Sequence, residues 1–370
     1  MFQNLFKPIN PGPLVIPNRI VMPPMTTRYA NADGTVSDRM KQYYKARANG
    51  GAGLIIVEMA CITRDHRGMA RQLAIWEDRF IPGLKGLADT IHAAGSRVFL
   101  QLQHAGREAH FSGAANPALA PSSLGGGWHK GVPRELTIPE IHSIVKDFAA
   151  AALRAREAGF DGIEFHGAHI YLIQQFLSPL TNKRTDEYGG SVDNRARFAV
   201  DILRETRKRM GREFPISFRI NGDDFIEGGQ TLDQSTKIAR LLQEAGATCI
   251  HVSGGTVGSH MMVPGPSEAD GCLVYLAAAM KRAIDIPVIT VGKIADPFLA
   301  DKILAEGKAD LVAMGRALVA DPELPNKAKQ GRIGEICGCL ACRTCTSGPI
   351  GELACNANPA AGREGEEGMA

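Results

Sequence analysis

Gly159-Phe160-Asp161-Gly162-Ile163-Glu164-Phe165-His166-Gly167-Ala168-His169-Ile170-Tyr171-Leu172 decides how the rest of the chain is read. Residues 162–165, apolar apart from Glu164, predict a buried strand. It runs into a small-residue turn that carries two histidines three positions apart, with Tyr171 close behind. A long polar loop follows, Ser178-Pro179-Leu180-Thr181-Asn182-Lys183-Arg184-Thr185-Asp186-Glu187-Tyr188-Gly189-Gly190. Polar groups gathered just past the C-terminal end of a buried strand are where an α/β barrel keeps its chemistry.

Outward from this stretch the same unit repeats. Before it lie Arg19-Ile20-Val21-Met22, then Leu54-Ile55-Ile56-Val57-Glu58, then Val98-Phe99-Leu100-Gln101-Leu102. After it lie Pro215-Ile216-Ser217-Phe218-Arg219-Ile220, Thr248-Cys249-Ile250-His251-Val252-Ser253, Pro287-Val288-Ile289-Thr290-Val291 and Asp310-Leu311-Val312-Ala313-Met314. These continuous, β-branched runs suit strands buried on both faces. Helices are expected between them, with Ser37 as an N-cap, a Thr137/Glu140 capping box, and further segments at 84–94, 194–210, 232–244, 273–283 and 297–306. Eight strands alternating with helices predict a closed (β/α)8 TIM barrel, an α/β fold, in preference to an open doubly wound sheet. The one long interruption, 104–134, is rich in Gly, Pro, Ala and Ser, and a loop of that length points to function.

Composition excludes several classes. The 370 residues, 44% hydrophobic and 22% charged, are those of an ordinary globular protein. A formal net charge of +3 gives no reason to expect nucleic acid or a membrane surface. No secretory signal and no apolar run near the ~20 residues of a membrane span is present, so the cytoplasm is the expected location.

Two strand ends are shaped for an anion. Val291-Gly292-Lys293 and Met314-Gly315-Arg316 close the last two strands, where this barrel usually cradles phosphate. The same residues also read as tight turns with surface cations. Gln101 and Arg219, at other strand ends, would add an amide and a cation facing the same mouth. Phosphate site, cation and planar amide together suit flavin mononucleotide (FMN). The histidines His166 and His169 lack a third metal ligand at a recognisable spacing. Two imidazole N–H groups converging on one oxygen would instead polarise a carbonyl or bind a phenolate, with Tyr171 as a proton donor.

The cysteines are uneven. Cys61, Cys249 and Cys272 are scattered, whereas Cys337, Cys339, Cys342, Cys345 and Cys355 crowd the end. Cys339-x-x-Cys342-x-x-Cys345 followed by Cys355 has iron–sulfur spacing, although zinc is the other metal to weigh. Cys337 is left over.

His166-Gly167-Ala168-His169, Gln175-Phe176-Leu177-Ser178-Pro179, Tyr188-Gly189-Gly190-Ser191, Asn18-Arg19-Ile20-Val21-Met22 and Gln101-Leu102-Gln103-His104-Ala105-Gly106-Arg107 closely resemble the Old Yellow Enzyme superfamily. The resemblance covers about the whole chain and implies non-covalent FMN. By it, Pro24, Met25, Thr26, Ala60, Gln101, Arg219, Gly292, Gly315 and Arg316 should line the flavin. Thr26 stands where some members carry a flavin-tuning cysteine. His166 and His169 should grip the activating oxygen of the substrate, and Tyr171 should donate the proton. His260 lies near where dienoyl-CoA reductases place a proton-delivering histidine, and reads equally as an ordinary loop residue.

The cysteine spacing resembles the branch of 2-enoate reductase, dienoyl-CoA reductase and trimethylamine dehydrogenase. It implies an FMN barrel at 1–330 and a cysteine-rich extension at 331–370, where Cys339, Cys342, Cys345 and Cys355 hold a [4Fe–4S] cluster before a mobile end. That branch continues into a flavin- and NAD(P)H-binding portion. No strand–Gly-x-Gly-x-x-Gly–helix fingerprint appears here, so a separate redox partner carrying FAD/NAD(P)H, or a chain cut at a domain boundary, is expected. A homo-oligomer stays open.

The function implied is ene reduction, in which hydride from FMN N5 and a proton from Tyr171 saturate the C=C bond of an α,β-unsaturated carbonyl or enoyl thioester. The alternatives are an N-methyl amine dehydrogenase, whose trimethylamine relative has tyrosine where His166 stands, and an electron-transfer subunit without a substrate of its own.

Overall fold

The structure, a computed structural model, describes residues 1–110, 117–128, 131–347 and 351–366. Part of the 104–134 loop and the last residues of the chain thus lie outside the described residues. Eight parallel strands close into a barrel: β1 (Ile20–Met22), β2 (Leu54–Cys61), β3 (Arg97–Gln103), β4 (Gly162–Gly167), β5 (Ile216–Asn221), β6 (Cys249–Ser253), β7 (Val288–Thr290) and β8 (Leu311–Ala313). Each strand pairs with its sequence neighbour, and β1 pairs with β8. The expected (β/α)8 architecture is present.

The helices α1 (Asp38–Asn49), α2 (Ile81–Ala93), α3 (Ile138–Glu157), α4 (Leu172–Leu177), α5 (Val192–Met210), α6 (Leu232–Ala245), α7 (Val274–Ala283), α8 (Pro297–Ala305), α9 (Gly315–Ala320) and α10 (Leu324–Lys329) follow the strands. Their ends obey local chemistry. Ser37 accepts from the Met40 N–H at the start of α1, and Thr137 with Glu140 forms the reciprocal capping box of α3.

Strand alternation sorts the side chains, because successive residues face opposite sides. On β4, Phe165 points outward, 5.7 Å from the Phe148 ring of α3, while Glu164 and His166 face the interior polar groups. An inner apolar layer of Val21, Leu54, Ile56, Phe99, Ile289 and Leu311 fills one end of the barrel. Ile16, which pairs antiparallel with Ile9, plugs it there. The next layer up is polar, and its register fixes it: Gln101 lies beside Glu164, Glu164 beside Ser217, and His166 beside Arg219.

The residues after α10 pack on the barrel. Leu353 donates its N–H to Thr27 O at 2.9 Å and accepts from the Tyr29 hydroxyl at 2.6 Å. Glu364 pairs with the fully buried Arg47 of α1. Leu353 and Glu364 are held against the barrel by these contacts. The reason is that Arg47, buried between α1 and the Leu318 carbonyl, takes its countercharge from the tail.

Candidate active site

His166 is the penultimate residue of β4 and not part of the turn, so the strand itself aims it into the barrel mouth. Gly167 follows because nothing larger fits: a Cβ there would stand 2.6 Å from the Phe218 ring. His169 sits in the turn with φ of +66°, a region that costs an L-residue roughly 1–3 kcal/mol. Two partners from neighbouring strands hold it there. Asn221 Oδ1 accepts from its N–H at 3.0 Å, and Ser253 Oγ lies 2.8 Å from its Nε2.

The two imidazoles are 5.2 Å apart, centre to centre, and nearly perpendicular. Burial comes first among the causes that push both well below the ordinary histidine value, reinforced by the nearby Arg219 and His251. Both rings are therefore neutral near pH 7. Ala168 N–H donates to His166 Nδ1 at 3.4 Å, so the neutral ring carries its proton on Nε2, a donor with no partner among the described residues. Tyr171 packs edge-on to His166 at 4.7 Å. Burial raises its phenol, and its hydroxyl makes no hydrogen bond among the described residues.

Beneath this triad lies a network that the sequence did not announce. The buried Glu164 accepts from Gln101 Nε2 (2.9 Å), Ser217 Oγ (2.9 Å) and His251 Nδ1 (2.8 Å). Burial opposes its ionisation, but His251, Arg219 and Ser217 together hold its carboxyl below the ordinary value. His251 itself is pushed down, by burial first and then Arg219. The pair is thus carboxylate and neutral imidazole. The only hint in the sequence was a glutamate in an otherwise apolar strand.

Two adjoining cavities, of about 240 and 270 Å³, share Pro24, Met25, Arg219, Met262, Val263 and Thr346 and so form one cleft. The second contains Thr26, Gln101, His166, His169 and Tyr171. The first contains Gly292, Gly315 and Arg316. Most residues assigned from sequence therefore meet in one place. Two do not follow expectation. Ala60 lies in the main core and lines neither cavity; Met59 faces the cleft instead, next to a slip in the β2–β3 register between Val57 and Ala60. His260 is exposed in the turn after β6, and its neighbours Met262 and Val263 do the lining. Lys293 and Arg316 both line the first cavity, Lys293 Nζ donating to the Pro266 and Glu268 carbonyls at 3.0 and 2.6 Å and Arg316 Nη1 to the Pro264 carbonyl at 2.6 Å.

Residues 4–335 match the NADH:flavin oxidoreductase / NADH oxidase family. The chain belongs to that family. A Thermoanaerobacter brockii NADH oxidase is 48% identical over 98% of this chain and 57% of its own length. A Clostridium sporogenes cinnamate reductase is 34% identical over 100% of this chain and 59% of its own length. The solved structure of a 2-naphthoyl-CoA reductase complex superposes with a TM-score of 0.94 at 32% identity, covering 99% of this chain and 58% of that one. The chain thus spans somewhat over half the length of these relatives. The Old Yellow Enzyme resemblance stands at the level of this family.

The cleft itself fits FMN. Arg219 is buried, and its Nε has no partner among the described residues, as expected of a cation awaiting an electron-rich ring. Gly292, at φ +118°, lies at the end that would take phosphate, and a Cβ there would stand 2.8 Å from Leu273 N.

The cysteines border the same cleft, with Cys339 on the first cavity and Cys345 on the second. Burial raises the Cys345 thiol to about 11, and Cys339, Cys355 and Cys342 add to the effect, so these thiols lie within electrostatic reach of one another. Among the described residues no three metal-ligating side chains converge into a closed site, and residues 348–350, between Cys345 and Cys355, lie outside them. Cys337 donates instead to the Ala357 carbonyl at 3.3 Å. No helix among the described residues is long and apolar enough to cross a membrane.

Proposed function

We propose that the chain is the catalytic barrel of an ene reductase acting on an electron-poor alkene conjugated to a carbonyl. The observation that carries this is the meeting of two neutral imidazoles with the unpartnered Tyr171 hydroxyl in one cleft. Pro24, Met25 and Thr26 would pack against the flavin, Gln101 and Arg219 would hold its ring, and Gly292, Gly315 and Arg316 its phosphate. When bound, the flavin supplies hydride transfer from its N5. His166 and His169 donate to the carbonyl oxygen and stabilise the negative charge that develops there; each such donor is worth roughly 10²–10³ in rate. Tyr171 delivers the proton to the α-carbon, a role worth about 10²–10⁴. The reductase names of two relatives support this direction.

Cys339, Cys342, Cys345 and Cys355 would hold a [4Fe–4S] cluster at the rim of the cleft. A partner domain or subunit carrying FAD/NAD(P)H would be the electron source, and the greater length of relatives such as the NADH oxidase leaves room for one. Iron and acid-labile sulfide at about four each per chain are expected in anaerobically purified protein, falling on Cys342→Ser. Neither being present would remove the cluster from this account.

Stopped-flow mixing under anaerobic conditions tests the reaction. Reduced enzyme should be reoxidised by an enone within seconds, while oxidised enzyme should stay oxidised with N-methylated amines. The opposite pattern would make the chain an amine dehydrogenase.

A further inference from the structure

Arg28 is a cation that the proposed chemistry does not use. It lines the substrate end of the cleft beside Met59, Met69, Trp128, Ile170 and Tyr171. Among the described residues it makes no hydrogen bond and no ion pair. It is half-buried, and its charge acts on the Tyr171 phenol. A cation partly withdrawn from water without a partner is unfavourable unless a ligand supplies the countercharge.

The backbone around it is built to keep it there. Arg28 has φ of +60°, a left-handed conformation that L-residues rarely adopt. Both flanks are pinned. The Thr27 N–H donates to the Glu58 carboxyl of β2, the Thr27 carbonyl accepts from Leu353, and the Tyr29 hydroxyl donates to the Leu353 carbonyl. Above the guanidinium lies Gly351, where a Cβ would fall 1.5 Å from Arg28 Nη1. The extension therefore closes over this arginine with a residue that leaves it room. Strain held by its surroundings at a site is a mark of function.

We infer that Arg28 binds a carboxylate on the substrate, so that the preferred alkene carries a carbonyl at one end and an anionic group at the other. This rests on the ene-reductase reading above. The carbonyl goes to His166 and His169, the apolar body lies against Met59 and Met69, and the carboxylate pairs with the guanidinium in a charge-assisted, two-pronged geometry. Past Arg28 the cleft continues into a further cavity of about 290 Å³ lined by Met69, Trp128 and the Glu108 carboxylate that Arg107 already neutralises.

The test compares (E)-4-oxopent-2-enoate with its methyl ester as oxidants of dithionite-reduced holoenzyme. The pair shares one alkene and differs in charge. Arg28→Gln should lower kcat/KM for the acid about 10- to 100-fold, the range of a hydrogen-bonded charge pair, and leave the ester within about threefold. Arg28→Lys should fall between, and Gly351→Ala, which displaces the guanidinium, should reproduce the selective loss. An equal fall for acid and ester, or an unchanged ratio in an Arg28→Gln protein that still binds flavin, overturns the role of Arg28 alone. Wild-type enzyme that neither compound reoxidises overturns the ene-reductase reading and this inference with it.

Discussion

Replacing Glu164 with glutamine probes the layer that supports the site. The carboxylate is fully buried and serves three donors at 2.8–2.9 Å while standing near Arg219. Glutamine keeps the shape but removes the charge and faces at least one donor with another donor. Leaving a buried hydrogen-bond donor unsatisfied in this way costs about 1–3 kcal/mol. Equilibrium urea unfolding at pH 7 should show a loss of that size. Because folding lowers the Glu164 pKa, its contribution is fully present above the unfolded value near 4.3 and is lost as pH falls through the folded value. The gap between wild type and variant should therefore close in acid. A second readout separates positioning from stability. Gln101 is oriented by donating Nε2 to Glu164, which leaves its Oε1 to accept from a ligand. Freed from that anchor the amide can turn over, and flavin affinity should drop about 2- to 10-fold, the worth of one ordinary hydrogen bond. An unchanged unfolding midpoint together with an unchanged flavin Kd would refute the network.

Other substitutions have separable outcomes. Tyr171→Phe should slow enone reduction by about 10²–10⁴ while phenol binding persists. Because burial raises the Tyr171 phenol, wild-type turnover should show no loss assignable to it up to about pH 10. Gly292→Ala forces an L-residue to φ +118° with its Cβ 2.8 Å from Leu273 N; about 1–3 kcal/mol of stability should go, read by thermal unfolding.

The barrel was legible because strands buried on both faces are written as runs such as Leu54-Ile55-Ile56-Val57, separated by well-capped helices. His166, His169 and Tyr171 stood out because polar side chains at the end of such a run have few structural reasons to be there. Glu164 and His251 were harder to see. They lie 87 residues apart, and only closure of the barrel puts 2.8 Å between them. Arg28 was invisible for a different reason, since its importance depends on a backbone angle and on Gly351 more than 300 residues later. Ala60 and Met59 changed places because a single slip in the β2–β3 ladder decides which neighbour faces the cleft. His260 was carried by a resemblance in loop position, and loops vary most among relatives.

The central claim is that His166 and His169 form a neutral oxygen clamp in the flavin cleft. Anaerobic titration of the FMN-loaded protein with 4-hydroxybenzaldehyde tests it most directly. Wild type should develop a saturable long-wavelength absorption band. His166→Ala should weaken binding about 10- to 100-fold, as expected for a lost hydrogen bond to a phenolate. Since both rings are already neutral near pH 7, binding should show no separate step near pH 6.5. No band in wild type, or the same Kd in His166→Ala, would contradict the account.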